Sequence, residues 1–371
     1  MSMVDNQPQP ETPQSLAEVR QRIDRIDLDI QRLLNERAKV SSAVASIKLA
    51  EAAGQPVDLY HPEREAQLLK RIAERNDGPM APAAVQRIFR EIISASRVLE
   101  APVRVAYLGP EGTFTHTATV QHFGHTVETE SEPDIAEVFQ SVEAGRRRFG
   151  VVPVENSIEG SVNQTLDQLS RTRLRVCGEV RLRIKHCLLS NASQLQDIQE
   201  VHAHPQALAQ CWHWLNAKLP KAKRKSASSN AAAAKIVVGK PGMAAIAGEA
   251  AAELYGLDKL EIGIEDEQNN TTRFLVIGNQ HVPPSGDDST LLLMAAPHRP
   301  GGLRSMLEPL EKAGVSMTRI ESRPSRSALW DYVFFIDVHG HELDANLCHV
   351  LDELKGLSPM LKVLGSYPRA L

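Results

Sequence analysis

The sequence predicts three folds in series: an all-α bundle, an α/β domain, and a small α+β module of ferredoxin-like order. Three observations carry that expectation. The chain has 371 residues, more than one ordinary hydrophobic core serves, so two or three domains are expected. Residues 15–100 repeat apolar side chains at helical steps of three and four. After residue 103, short β-rich runs alternate with helical stretches, and the last such series has the order βαββαβ. The expected organisation is a disordered leader over 1–14, a helical domain over 15–101, an α/β domain over 102–282 and the small module over 288–367.

The helical region opens with Leu16, Val19, Ile23, Ile26, Ile30 and Leu33, continued by Val40, Val44 and Ile47. That spacing describes one long helix with a coiled-coil-like seam. At ~1.5 Å per residue it spans roughly 50 Å, more than a small domain covers alone, so a homodimer or higher homo-oligomer is expected. Gly54 and Pro56 break this helix. Pro62 suits the first position of a second helix, with Glu63 and Glu65 in its favourable first turn. A third runs from Pro82 to Leu99 on a stripe of Val85, Ile88, Phe89, Ile92 and Ile93, and Pro102 ends the region.

In the α/β region Val103–Leu108, Gly150–Val154, Arg173–Leu189 and Phe274–Gly278 read as strands, and Ala231–Val238 and Ala245–Tyr255 as helices. Glycine-bearing polar turns follow the strands, where α/β folds place their ligand sites. Lys221–Lys225 reads as a solvated loop and Pro283–Asp288 as a linker. The last module orders strand Ser289–Ala295, helix Gly302–Ala313, strands Ser316–Arg323 and Tyr332–Val338, helix Ala345–Leu354 and strand Met360–Ser366.

Composition narrows the function classes. Hydrophobic residues make up 42% and charged residues 24%, as in a soluble globular protein. The net charge of −4 gives no bulk attraction to nucleic acid or anionic membrane, so any anion site must be built from a few placed cations. No run approaches a membrane span, and Met1–Gln14 is polar and proline-rich without a signal-peptide core, which points to the cytoplasm. Cys177, Cys187, Cys211 and Cys348 form no CxxC pair, so reduced thiols are expected rather than a disulfide framework or zinc site. His202 with His204, and His339 with His341, are the metal-like spacings; such alternation is more often incidental, and neither metal nor cofactor is expected.

Placed cations are found in the first region. Arg37 occupies a seam position between Leu33 and Val40, where an apolar residue belongs, and burying an arginine is costly without a paired anion. Lys48, eleven residues on, returns to within about 20° of it, whereas Arg20 is displaced by roughly 80–100° and is better placed to reach a neighbouring subunit's site. The second helix adds Arg64 and Glu65, the third Ser96 and Glu100 one turn apart. On pattern alone, interhelical salt bridges and a water-poor pocket for a dianion account for this set about equally well.

With the two arginines, the lysine, the Arg64-Glu65 pair and the late serine in this order, residues 16–100 resemble the all-helical chorismate mutase family. The resemblance implies the rearrangement of chorismate to prephenate. It implies that Arg37, with Arg20 from the other subunit, holds the substrate carboxylates. By the same resemblance Lys48 meets the ether oxygen and a carboxylate, Glu65 the ring hydroxyl and Ser96 the ring carboxylate, while Arg64 orients the set. A Claisen rearrangement needs no nucleophile, only a clamped reactive conformer and stabilised charge on the departing ether oxygen. Two positions depart from some members: Glu100 stands in place of a glutamine, and His61, at the contact to the ring hydroxyl, in place of an aspartate. Glu100 can donate to the ether oxygen only when protonated, so mutase activity is expected to rise as pH falls.

Four stretches follow in order: Gly109-Pro-Glu-Gly-Thr-Phe-Thr-His116, Val152-Pro-Val-Glu-Asn-Ser-Ile-Glu-Gly-Ser161, His204-Pro-Gln206 and Asn270-Thr-Thr-Arg-Phe274. Together they resemble the prephenate dehydratase family over nearly the whole middle region. The resemblance implies conversion of prephenate to phenylpyruvate with loss of carbon dioxide and water, between two α/β lobes arranged like a periplasmic binding protein. Thr272 would act on the ring hydroxyl by a positioned hydrogen bond. Arg273 would orient the loop or offset carboxylate charge. Thr113, Asn156, Ser157 and Gln206 would be substrate donors, Glu155 would support them, and Phe274 would line the site. Turn capping is the less favoured alternative reading for Thr113, Glu155, Asn156, Ser157 and Gln206.

Pro300-Gly301-Gly302-Leu303 and Glu321-Ser322-Arg323-Pro324 resemble the ACT regulatory domain of the same enzymes. The resemblance implies phenylalanine as effector, bound at a subunit interface and lowering dehydratase activity; a helix N-terminus there attracts carboxylate. The family form is usually Gly-Ala-Leu, so Gly302 departs from it. Two other readings stand beside this one: a non-catalytic amino-acid sensor, and an arogenate dehydratase, which no residue separates from the prephenate enzyme. Arg37 with Lys48 and the Thr272-Arg273 pair weigh against a sensor.

Overall fold

The structure, a computed structural model, describes residues 15–51, 60–100, 103–324 and 332–370, without the side chains of Leu49 and Glu100. The leader expected over 1–14 and the helix breakers Gly54 and Pro56 lie outside the described residues.

Three helices form the first region: α1 (Leu16–Glu51), α2 (Pro62–Arg75) and α3 (Pro82–Glu100). The C-terminal part of α1 lies on α3, with Ala45 buried. Its N-terminal part keeps its seam uncovered: Ile23, Ile26, Ile30 and Leu33 are each about half exposed. A contiguous apolar stripe of that kind marks an interaction surface.

The middle region is two α/β lobes. The first holds β1 (Arg104–Leu108), α4 (Phe114–Phe123), β2 (Glu128–Glu132), α5 (Ile135–Glu143), β3 (Phe149–Asn156), β4 (Gly160–Ser161), α6 (Asn163–Arg171) and β5 (Arg175–Arg183). The second holds β6 (Cys187–Ser190), β7 (Glu200–Ala203), α7 (Pro205–Gln210), α8 (Trp212–Lys218), β8 (Lys223–Ser226), α9 (Asn230–Val237), β9 (Met243–Ala247), α10 (Glu249–Tyr255) and β10 (Asp258–Ile262). The chain then returns to the first lobe as β11 (Thr271–Gly278), inserted antiparallel between β3 and β5 in the order β2-β1-β3-β11-β5. The second sheet runs β10-β6-β9-β7-β8.

Three sequence expectations change here. The run Arg173–Leu189 is two strands, because the amides of Ile184 and His186 leave the sheet to bond Asn270 O and the Glu265 carboxylate; the chain crosses between lobes at that break. Ala245–Tyr255 begins as strand β9 rather than helix. Ala244 and Ile246 face one core cluster and Ala245 and Ala247 the other, so burial on both faces overrides alanine's helix propensity. Of Lys221–Lys225, expected as loop, the part from Lys223 onward belongs to an edge strand (Lys223–Ser226) paired with β7, consistent with lysines guarding an edge.

The C-terminal module contains β12 (Asp288–Ala295), α11 (Gly302–Lys312), β13 (Met317–Pro324), β14 (Tyr332–His339), α12 (Ala345–Leu357) and β15 (Met360–Pro368), with sheet order β13-β14-β12-β15, the ferredoxin-like arrangement. One face of this sheet (Leu292, Met294, Ile336) packs under the two helices. The other (Leu291, Leu293, Phe335, Leu364, Tyr367) joins Val152, Leu275 and Ile277 of the first lobe in one continuous core. At Gly365 a Cβ would fall 2.2 Å from Val176 O, so only glycine admits this approach of β15 to β5. Tyr60 is likewise buried among Val105, Phe123 and Phe149 of the first lobe, which fastens the helical region to it.

Candidate active sites

A cavity of about 270 Å³ opens among the three N-terminal helices. Arg37 and Lys48 reach it from α1, Arg64 and Glu65 from α2, Ser96 and Arg97 from α3, and His61 from the turn before α2. Arg37 Nη1 donates to Ser96 Oγ at 2.5 Å, and that hydroxyl donates onward to Ile92 O at 2.8 Å. Lys48 Nζ lies 2.7 Å from His61 Nε2, and His61 Nδ1 lies 3.0 Å from a Glu63 carboxylate oxygen. An ammonium has donors alone, so Nε2 accepts from Lys48 and the Nδ1 proton points at Glu63. Glu65 pairs with Arg97, whose side chain is 5% exposed. Burial pushes the Glu65 carboxyl above its ordinary range, and Arg97 pulls it back. Arg20 is exposed and does not line this cavity; it lies roughly 25 Å from Arg37 along α1 at ~1.5 Å per residue. Glu100 is the last residue of α3, and its side chain lies outside what is described.

A second cavity of about 580 Å³ lies between the lobes. Thr113, Asn156, Gln206, Thr272 and Phe274 of the expected set line it. Thr113 also caps α4, its hydroxyl donating to Pro110 O at 2.9 Å and accepting from His116 N at 3.4 Å. Asn156 Oδ1 accepts from the amides of Ile158 (3.0 Å) and Glu159 (3.1 Å), which fixes the amide so that Nδ2 donates to Asn270 Oδ1 (2.7 Å) and Thr272 Oγ1 (2.9 Å). Asn270 Nδ2 donates to Gln210 Oε1 at 3.4 Å, which also lies 2.9 Å from His186 Nε2. Burial holds His186 below the usual histidine range. With its oxygen taken up by Asn156, the Thr272 hydroxyl has its proton left to give to whatever enters the cleft.

Three expected residues are placed elsewhere. Alternation along β11 sends Thr272 and Phe274 into the cleft and Arg273 to the opposite face. There Arg273 donates to Glu179 (2.7 Å), bidentately to Asp337 (2.9 and 2.7 Å) and to the Tyr367 hydroxyl (2.8 Å), a buried clamp onto the C-terminal module. Glu155 turns the same way, 3.2 Å from Arg319 Nε. Ser157 does not line the cleft; its hydroxyl accepts from Thr271 N at 3.0 Å and ties two strand ends together.

In the C-terminal module Gly301 has φ +76° and Gly302 starts α11, followed by Leu303. A Cβ on Gly302 would meet Pro297 O at 2.1 Å, so the alanine expected there has no room. Glu321, Ser322, Arg323 and Pro324 end β13, and Ala295, Val333 and Arg323 lie in one row across the sheet, so both motifs occupy one end of it. In the single chain Glu321 accepts from Ser161 Oγ at 2.8 Å and Arg323 donates to Asp167 at 2.8 Å. Among the described residues, no group of three or more His, Cys, Asp or Glu is gathered to hold a metal.

The sequence reading missed Arg97, Ser161, His186, Gln210 and Asn270. Arg97 carried a signal, since it continues the Phe89–Ile93 row of an apolar stripe as Arg37 does on α1. Gln210 lies one turn from Gln206, and Ser161 and Asn270 stand at the ends of quoted stretches. Nothing in the sequence singles out His186.

Two family profiles match the chain: chorismate mutase type II over residues 19–101 and prephenate dehydratase over 105–282. The bifunctional chorismate mutase/prephenate dehydratase of Stutzerimonas stutzeri is 49% identical over 358 residues, covering 96% of this chain and 98% of that one. The chain belongs to this family. Its helical region is the chorismate mutase and its two lobes are the prephenate dehydratase. Among solved structures, a prephenate dehydratase from Arthrobacter aurescens in complex with L-Phe is similar over 72% of this chain and 90% of its own, with TM-score 0.67 and 34% identity. A structure described as GqqA, a quorum quenching acylase, gives the same TM-score at 32% identity over 72% of this chain and 98% of its own. Among the described residues the mutase pocket is lined by the basic side chains Arg37, Lys48, Arg64 and Arg97 and by the Glu65 carboxylate, which suits a pericyclic rearrangement that needs placed charge and no nucleophile. In the dehydratase cleft the Thr272 hydroxyl accepts from Asn156, and Glu159, His186 and His204 line the space together with the amides of Asn156, Gln206, Gln210 and Asn270.

Proposed function

We propose that the two sites work in sequence in phenylalanine biosynthesis and that phenylalanine restrains the second. In the mutase pocket Arg37 and Lys48 hold chorismate by its carboxylates and ether oxygen, Ser96 and Arg64 orient it, and Glu65 accepts from the ring hydroxyl. Arg20 of a second copy completes the site, and the exposed seam of α1 supplies the homodimer interface that brings it there. Glu100 shares the ether oxygen when protonated.

In the dehydratase cleft Thr272 donates to the departing ring hydroxyl as the carboxylate leaves as carbon dioxide, and the ring's aromatisation drives the step. The observation that carries this reading is the Asn156–Thr272 hydrogen bond, which leaves the threonine proton free. Asn270, Gln206 and Thr113 supply polar contacts to prephenate.

For regulation, the supporting observation is Ser161. It lines the cleft, donates to Glu321 and accepts from Arg319 at 2.6 Å, so a ligand that moves the end of β13 also moves the cleft wall. The relative solved with L-Phe points to the same effector. Among the described residues no helix is long and apolar enough to cross a membrane, and we assign the enzyme to the cytoplasm. The test is to supply purified protein with chorismate alone and follow prephenate and phenylpyruvate with and without phenylalanine. Phenylpyruvate that forms without added cofactor and is suppressed by phenylalanine supports the full scheme. Phenylpyruvate indifferent to phenylalanine removes the regulatory part.

A further inference from the structure

Glu65 is the wall between two spaces. On one side it lines the mutase pocket; on the other it lines a cavity of about 80 Å³ closed by Tyr60, Arg90, His122 and Arg369. Among the described residues the group that hydrogen-bonds its carboxylate is Arg97. Arg97 does not rest on the helical region alone. Its guanidinium lies 4.8 Å from the centre of the Tyr60 ring, and Nη1 donates to Phe123 O, at the end of α4, at 3.4 Å. The Tyr60 hydroxyl lies 2.5 Å from His122 Nε2 of the same helix. Burial drives His122 down to about 3, so it stays neutral and adds no charge beside Arg97.

We propose that Arg97 is a positioning residue of the mutase, aiming the Glu65 carboxylate into the chorismate pocket while being held in turn by the dehydratase helix α4. The mutase site is thereby finished by a surface of the dehydratase domain. The proposal rests on the role given to Glu65 above, as acceptor from the ring hydroxyl in its ionised form. An arginine that served packing alone would not need to bond a carboxylate lining the substrate pocket, nor would its removal change how the enzyme responds to pH.

The charged and titratable groups around Glu65 are Glu63 and Arg64 on α2 with Tyr60 and His61 before it, Arg90 and Arg97 on α3, and Arg37 and Lys48 across the pocket on α1. Facing it from the other domains are His122 on α4, Glu179 and Arg181 on β5, and Arg369 after β15. Burial raises Glu65, and Arg97 is the foremost group lowering it. Without Arg97 the carboxylate therefore takes up its proton at higher pH, and activity on the acid side is lost sooner.

The test uses the full-length enzyme with Arg97→Met, which keeps the side chain's bulk, Arg97→Lys, which keeps the charge, and Glu65→Gln as reference. Mutase kcat and KM are measured on chorismate across pH, and dehydratase turnover on added prephenate. Arg97→Met should lower mutase kcat by about 10²-fold, the scale of a misplaced contact, and move the acid limb upward while prephenate turnover holds. Arg97→Lys should restore the limb and part of kcat. Wild-type kcat and pH profile in Arg97→Met would overturn the proposal. So would equal loss of both activities in both variants, which marks a structural role. If Glu65→Gln turns over normally, the role of Glu65 itself falls and the proposal with it.

Discussion

Replacing Arg273 with methionine separates two roles that the sequence left joined. The side chain is 11% exposed and is bonded to Glu179 and Asp337, each 1% exposed. Its removal takes from two buried carboxylates their shortest cationic contacts, leaving Asp337 with Arg319 at 3.6 Å and the Tyr367 hydroxyl at 3.3 Å, and Glu179 with Arg181 at 3.6 Å. Breaking a buried ion pair costs about 3–5 kcal/mol. At roughly 2–4 °C per kcal/mol for a folding unit of this order, Arg273→Met should lower the melting temperature by roughly 10 °C at pH 7. The loss should shrink on acidification. Burial alone would raise Asp337, but Arg273, Arg319 and the Tyr367 hydroxyl together outweigh it and hold the folded carboxyl below its ordinary value. The stability this contributes is complete above the unfolded Asp value of about 3.9 and is lost as pH falls through the folded one. Without Arg273 the folded value moves upward, held down only by Arg319 and Tyr367, so the difference between variant and wild type shrinks as pH falls from the variant's folded value to the wild type's. Acidification should therefore narrow the gap between the wild-type and variant melting temperatures, and KM for prephenate below the transition should stay within about threefold of wild type. An unchanged melting temperature with a KM raised about tenfold or more would put Arg273 back on the substrate and refute the clamp.

Thr272→Val keeps the shape and removes the proton, so dehydratase kcat should fall about 10²–10³-fold while Thr272→Ser retains most of it; phenylpyruvate formation at wild-type rate in the valine variant excludes the threonine as donor. Arg20→Ala and Arg37→Ala should each abolish mutase activity alone. After subunit exchange of the two, activity should return to about a quarter of wild type, because half of the dimers are hybrids with one intact site; no recovery means the site is not shared. Glu100→Gln should flatten the fall of mutase activity toward alkaline pH, since the amide donates at any pH, and an unaltered profile removes Glu100 from the ether oxygen.

What the sequence made legible was whatever depends on local chemistry. Helix periodicity located α1 to α3 and the three faces that meet around the mutase pocket, because an arginine on an apolar stripe is conspicuous. The order βαββαβ was readable because each element carries its own alternation or stripe. The breaks at Ile184–His186 and the strand β9 were not, since both follow from partners distant in sequence: Asn270 and Glu265 for the first, burial on two faces for the second.

The same distinction divides the site residues on β11. Thr272 and Arg273 are neighbours in one motif, and the sequence gives no reason to part them. Pairing with Asn156 on β3 and Leu182 on β5 fixes the face of Thr272, and the pleat then commits Arg273 to the opposite side. What waits there is set by the C-terminal module, whose Asp337 and Tyr367 come from β14 and β15. One strand thus presents its hydroxyl to the cleft between the lobes and its guanidinium to the C-terminal module, one residue apart. A shift of that module against the first lobe would bear on Arg273, and Arg273 adjoins Thr272 on the same strand with no loop between them. Ser161, on β4 of the same sheet, gives the module a second contact with the cleft lining. The module and the dehydratase cleft thus meet across the thickness of a single sheet, so the regulation proposed above would need no long pathway.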